Sequence, residues 1–134
     1  MNALDHQQIS ELLALHAFLT DENRLERLDE LFTPDAVYDM SASGLGVFEG
    51  LELLRSAAER MHASGRAPLA HLVTNVMVSS TGDASATVRS KGLMLMADGS
   101  PHAVTYDDEV RRQDGGWRIA RRVITPAGQP EMAH

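Results

Sequence analysis

The sequence contains no cysteine, which removes disulfide frameworks and thiolate chemistry together. Positive charge is also short: 12 Lys and Arg stand against 19 Asp and Glu, giving a formal charge of −7 and a pI near 5.2. A nucleic-acid binder would present a basic footprint, and a protein docking on an anionic leaflet would cluster Lys or Arg. Neither pattern is present. No apolar run approaches the ~20 residues that span a bilayer. The N-terminus, "MNALDHQQIS", has no basic stretch followed by an apolar one, so no secretory leader is read there and the expected compartment is the cytoplasm. Three motifs are missing as well: a phosphate-cradling glycine loop ahead of a helix, a nucleophile elbow, and two histidines at metal-ligand spacing. No repeat, low-complexity tract or linker divides the chain, so residues 1–134 are expected to form one domain with a buried core.

What is present changes character at Leu69. Before it the apolar spacing is helical. "LDHQQISELLALHAFLTDEN" opens with Asp5 as a candidate N-cap and Gln8 three residues on. Ile9, Leu12, Leu13, His16 and Leu19 or Thr20 then share one face. "RLERLDELF" is a short second helix that stops ahead of Thr33-Pro34, because proline disfavours a helical residue before it. "AVYDM" is a short strand, "SASGLGVFEG" a glycine-rich loop, and "LELLRSAAERMHASG" a third helix with Leu51, Leu54, Ala58 and Met61 as its stripe. After Leu69 the period becomes two. "AHLVTNVMVSS" and "ASATVRSKGLMLM" join around "TGD", and "AVTYDDEVRR" and "GWRIARRVIT" join around "QDGG", two hairpin signals. The tail "PAGQPEMAH" reads as a fraying end. Helices first and antiparallel strands afterwards make an α+β domain with helices packed on one side of a sheet.

Several polar residues do not fit a plain core. In "LAHLVTNVMV" strict alternation puts His71 and Asn75 on one face with Val73 and Met77. Such residues find partners or cost free energy; hydrogen bonds to backbone or to each other would suffice. His16 lies on the apolar face of the first helix, and Asp21 sits at its C-terminal end, where the helix dipole disfavours a carboxylate. A histidine would compensate it. An Asp–His pair has a definite chemistry: the carboxylate fixes the ring tautomer, leaves the other nitrogen as a base, and stabilises the imidazolium that forms. The pattern alone leaves open which histidine meets Asp21. Tyr106 and Asp108 share a strand face with Val104 and Val110, while Tyr38 and Asp39 point to opposite faces of the first strand. Either tyrosine could donate into an interior pocket or be purely structural. In the last strand Trp117, Ile119 and Arg121 have one parity and Arg118 and Arg122 the other. His62 is expected to be exposed and His102 to lie in a turn; Met77, Met94 and Met96 suit adaptable packing.

The pieces "LDELFTPDAVYDM", "GVFEG" leading into a helix, "HLVTNVMV" and "YDDEVRRQDGGWRIARR" resemble the SnoaL-like branch of the nuclear transport factor 2-like superfamily across roughly residues 5–125. The resemblance implies a cone: a curved antiparallel sheet wrapped around three helices, with an apolar cavity and frequent dimerisation through the sheet. In dyad pattern it is most similar to scytalone dehydratase, bile-acid dehydratase and hexachlorocyclohexane dehydrochlorinase, lyases that work without cofactor or metal. Their "H-x-x-T-N" pattern falls on His71, Thr74 and Asn75, their aspartate on Asp21, and the arginine after the "DG-x-W" turn on Arg122. A Lys or Tyr five positions before that aspartate is replaced here by His16. By alternation Arg122 lies opposite Trp117, so a place in the cavity requires a bulge in that strand. Ketosteroid isomerase is a second relative, but Asp39 is one position out of register with its base, which in a strand reverses the face.

The expectation is therefore a cofactor-independent lyase acting on a small, apolar, ring-containing molecule. Asp21, His71 and Arg122 are its candidate catalytic residues; His16, Tyr38, Asn75, Tyr106 and Asp108 are its candidate substrate contacts. An isomerase or cyclase would use the same dyad with no leaving group, and a non-catalytic binding domain would use the same cone. The expected partners are a small apolar molecule and a second copy of the chain, with neither nucleic acid nor membrane.

Overall fold

The computed structural model describes residues 1–128. Most of the expected fraying tail, including His134, lies outside the described residues. In chain order the elements are α1 (Ala3–Asp21), β1 (Phe32–Met40), β2 (Gly46–Glu49), α2 (Leu51–Ala63), β3 (Ala70–Gly82), β4 (Ser85–Leu95), β5 (Pro101–Gln113) and β6 (Gly116–Pro126). A short 3-10 helix, Leu25–Glu30, joins α1 to β1. The sheet runs β2-β1-β6-β5-β4-β3, curved and unclosed; β1 and β6 are parallel and every other pair is antiparallel. This is the expected α+β architecture.

Three local departures have physical reasons. The capping box sits three residues earlier than expected: the Asn2 side chain accepts from the Asp5 amide and the Asp5 carboxylate accepts from the Asn2 amide. Asp5 is therefore the reciprocal partner and not the cap. Freed from that role, it also accepts from Arg112 and from the Trp117 indole, tying α1 to the β5–β6 hairpin. The expected second helix is a 3-10 helix. Its buried residues Leu25 and Leu28, followed by Leu31, recur every three residues, the period of a 3-10 turn. Finally, "SASGLGVFEG" hides the strand β2, in which Phe48 pairs with Tyr38. A four-residue strand that begins on Gly46 and ends ahead of Gly50 gives too short a pattern to read.

The concave face of the sheet carries Val88, Val110 and Ile119, which pack with Ile9, Leu13 and Leu28 of the helical layer. A smaller cluster, Val104, Tyr106 and Ile124, continues the core toward Tyr38 and Met94. The outer face is different. There Leu72 and Leu93 are cross-strand partners, and both are exposed, as are Met77 and Leu95.

One glycine makes room for the site. A Cβ built on Gly92 would stand 2.3 Å from Cε2 of Tyr106, so the tyrosine ring occupies the space a side chain would need. Gly92→Ala is expected to cost about 1–3 kcal/mol through overpacking, measured by urea unfolding. Because Tyr106 is buried, near-zero cost would mean that its ring position is not fixed by this contact.

Two bulges set which side chains face inward. In β3 the register shifts between Thr74 and Met77, with Asn75 in the left-handed region at φ 57°. In β6 the pairing passes from Val110–Ile119 to Glu109–Arg121, leaving Ala120 as an extra residue. Each bulge reverses the alternation beyond it.

Candidate active site

The last residue of α1 and the second residue of β3 meet. His71 donates its backbone N–H to Asp21 Oδ2 at 3.0 Å, and its ring Nδ1 lies 2.5 Å from Asp21 Oδ1. One carboxylate thus holds one histidine by both backbone and ring. With Nδ1–H donating to the carboxylate, Nε2 is left as the acceptor nitrogen. The side chains are only 10% and 18% exposed, so the pair is largely withdrawn from water.

His71 forms part of the wall of a cavity of about 540 Å³. The wall is mainly apolar, with Leu54, Phe32, Met94 and Val104 among its contributors. His16, Tyr38 and Tyr106 line it as well. His16 and Tyr38 stack with ring planes 7° apart, and Phe32 meets both rings edge-on. Burial holds His16 well below the ordinary histidine value, and the positive charge of Arg122 and the neighbourhood of His71 push the same way. His16 is therefore neutral at neutral pH.

Behind the tyrosines lies a buried ion pair. Arg122 Nε and Nη2 donate to the two carboxylate oxygens of Asp108 at 2.7 and 3.0 Å, with side chains 1% and 0% exposed. The Arg122 guanidinium carbon sits 4.2 Å from the centroid of the Tyr106 ring. Burial alone would lower the arginine, but Asp108 and the two tyrosines more than offset it and the net direction is upward. Burial raises Tyr38 and Tyr106 above their ordinary values, opposed only in part by Arg122. Both phenols remain protonated at neutral pH and can donate into the cavity.

A sequence profile of the SnoaL-like domain matches residues 1–123. The chain belongs to the SnoaL-like family. An uncharacterised protein of Mycobacterium tuberculosis is 33% identical to it over 134 residues, covering 96% of this chain and 89% of the relative. Among solved structures, a Novosphingobium aromaticivorans protein provisionally named an aromatic ring hydroxylase superimposes with a TM-score of 0.78 at 27% identity, covering 97% of this chain and 93% of its own. A second protein from the same organism, provisionally named a scytalone dehydratase, gives 0.79 at 20% identity and 96% of both chains. These two show a shared fold carrying different names.

In this SnoaL-like protein the residues singled out from sequence divide into three groups. Asp21 and His71 are in contact, and His16, Tyr38 and Tyr106 share the cavity wall with His71. Asn75 does not join them. The β3 bulge turns it to the solvent side, where it accepts from the Thr74 hydroxyl, and Met77 follows it outward at 69% exposure. Arg122 does reach the concave side, through the β6 bulge, but it and Asp108 lie behind the lining and contact each other instead of the cavity. Asp39 accepts from Ser41 and faces Arg121 at 3.6 Å, outside the cavity. Sequence reasoning missed His62 and His102, which line the cavity where exposure and a turn were expected, and missed Arg60 and Arg66 beside them. Alternation in β5 places His102 on the face of Val104 and Tyr106 and was the available signal.

A pH prediction follows from His16. Its folded value is depressed, so in the unfolded chain it binds a proton near pH 6.5, its ordinary value, while the folded chain does not. The stability that neutral His16 contributes is complete above that pH and is lost as pH falls below it, at up to about 1.4 kcal/mol per pH unit. Thermal melts from neutral to mildly acidic pH should fall more steeply for the wild type than for His16→Gln. Parallel curves would show that His16 is not the titrating group.

Proposed function

We propose that this SnoaL-like protein is a cofactor-independent lyase of the dehydratase or dehydrohalogenase type. The observation that carries the reading is the two-point hold of Asp21 on His71 at the wall of an apolar cavity. His71 Nε2 removes a proton from a carbon next to an electron-withdrawing group. The electron pair forms the new double bond, and the hydroxide or halide leaves from the adjacent carbon. Tyr38 and Tyr106, held as neutral donors, hydrogen-bond to the departing group or to the oxygen on which negative charge develops. Arg122 acts through them. It packs against the Tyr106 ring from behind, and its positive charge opposes part of the rise that burial imposes on Tyr38. Enclosure by Leu, Met and Phe side chains favours a ring-bearing substrate.

A suitable probe is 3-hydroxy-1-tetralone, which loses water to give 1-naphthol, driven by aromatisation and followed by absorbance. The wild type should accelerate the elimination and His71→Ala should not. Equal rates for the two proteins would remove the dyad from the chemistry and leave a binding domain.

A further inference from the structure

The ionisable side chains that line the cavity are lopsided. In a chain where acids outnumber Lys and Arg by 19 to 12, the lining holds Arg60, Arg66 and four histidines but neither Asp nor Glu. The basic residues outside the dyad region are grouped by topology. Arg60 and His62 belong to the last turn of α2, Arg66 to the segment that follows it, and His102 to the start of β5. Arg60, Arg66 and His102 are exposed, whereas His16 and Tyr106 are buried and the dyad is largely withdrawn from water. The two arginines therefore mark the solvent end of the cavity, and the tyrosines mark its interior.

Compensation of the α2 dipole would account for Arg60 and His62 alone. It does not account for Arg66 or His102, which are not on the helix. Nor does it account for the state of these groups. Among the described residues neither arginine side chain has a carboxylate partner, while most other arginines do. His62 Nε2 is buried with no hydrogen-bond partner, although the ring lines the cavity. That nitrogen is sealed from the cavity, so the groups left open to a ligand at the mouth are the two exposed guanidinium groups.

We propose that the substrate is amphipathic: an apolar ring lies against His71 and the tyrosines, and an oxyanion, carboxylate or phosphate, sits at the mouth between Arg60 and Arg66. This rests on the cavity being the substrate site of the lyase reading, and it narrows the substrate class. The anion neutralises an unpaired cationic rim and orients the ring so that its reactive carbon meets His71 in one sense only.

Calorimetry with three probes of one shape tests it: 2-naphthoate, 2-naphthyl phosphate and the neutral 2-naphthylmethanol. With two exposed guanidinium groups, the better anion should bind about tenfold more tightly than the alcohol at low salt, with the advantage shrinking as salt rises. The double variant Arg60→Gln/Arg66→Gln should lose that advantage while keeping its affinity for the alcohol. The charge-matched control Arg24→Gln/Arg111→Gln, outside the cavity, should keep it. Whichever of carboxylate and phosphate binds more tightly names the anion. Equal affinity for all three probes, binding of none, or a preference that survives in the double variant would overturn the proposal. Equal affinity with intact elimination of 3-hydroxy-1-tetralone would leave the dyad reading standing. Anion preference with undiminished turnover in His71→Ala would do the reverse.

Discussion

Arg122→Met is expected to destabilise the fold by about 3–5 kcal/mol, the usual cost of removing one partner from a fully buried ion pair. The guanidinium accounts for both oxygens of Asp108. Without it that carboxylate is left at 0% exposure with no countercharge. Against a total of about 5–15 kcal/mol for a typical domain, this loss is large enough to populate unfolded chain. The double variant Arg122→Met/Asp108→Leu should recover most of the loss, because two apolar groups of similar volume leave nothing uncompensated. Urea unfolding of the wild type, both single variants and the double variant measures the cycle. A single-variant cost below about 1 kcal/mol would mean that water reaches Asp108 and that the pair is not sealed. The double variant separates stability from chemistry. It should fold, yet with Tyr38 and Tyr106 unsupported from behind it should eliminate water more slowly than the wild type.

That pair also shows where the sequence was legible and where it was not. The switch from helical to alternating period at Leu69 located β3, β4, β5 and β6, because each is long enough for alternation to repeat. β2 was invisible because a four-residue strand that begins on a glycine cannot display a period. Side-chain direction was harder than element type. The rule of two holds only while the ladder is regular, and β3 and β6 both break it. In β3 the bulge at Asn75 sends it to solvent while His71, on the near side, stays inward. In β6 the extra residue Ala120 turns Arg122 inward with Ile119. The resemblance gave Arg122 a place on the cavity side, and simple parity denied it. The bulge reconciles the two, but with Arg122 placed one layer behind the wall. Asp21 was legible for a different reason. A carboxylate at a helix C-terminus is electrostatically misplaced, and a misplaced charge signals a partner even when the partner lies 50 residues away.

His71→Ala should lower kcat for 3-hydroxy-1-tetralone by about 10²–10⁴, the range for loss of a general base, with the cavity and fold unchanged. Asp21→Asn is the more discriminating change. The carboxylate accepts twice from His71, from the backbone N–H and from the ring. An amide has one oxygen, and since a backbone N–H can only donate while the ring can change tautomer, the oxygen would stay on the backbone and the –NH₂ would face Nδ1. That nitrogen would then have to accept, moving the ring proton to Nε2 and turning the intended base into a donor toward the cavity. The loss in Asp21→Asn should therefore approach that of His71→Ala although the shape is retained, and the double variant should be no worse than His71→Ala alone, since the two residues act as one unit. The nitrogen chemical shifts of His71 report the tautomer directly, with Nδ1–H in the wild type and Nε2–H in Asp21→Asn. An Asp21→Asn protein with the inverted tautomer and wild-type turnover would exclude Nε2 of His71 as the base. Inversion together with lost turnover would tie the chemistry to that nitrogen, because among the described residues His71 is the histidine that Asp21 holds.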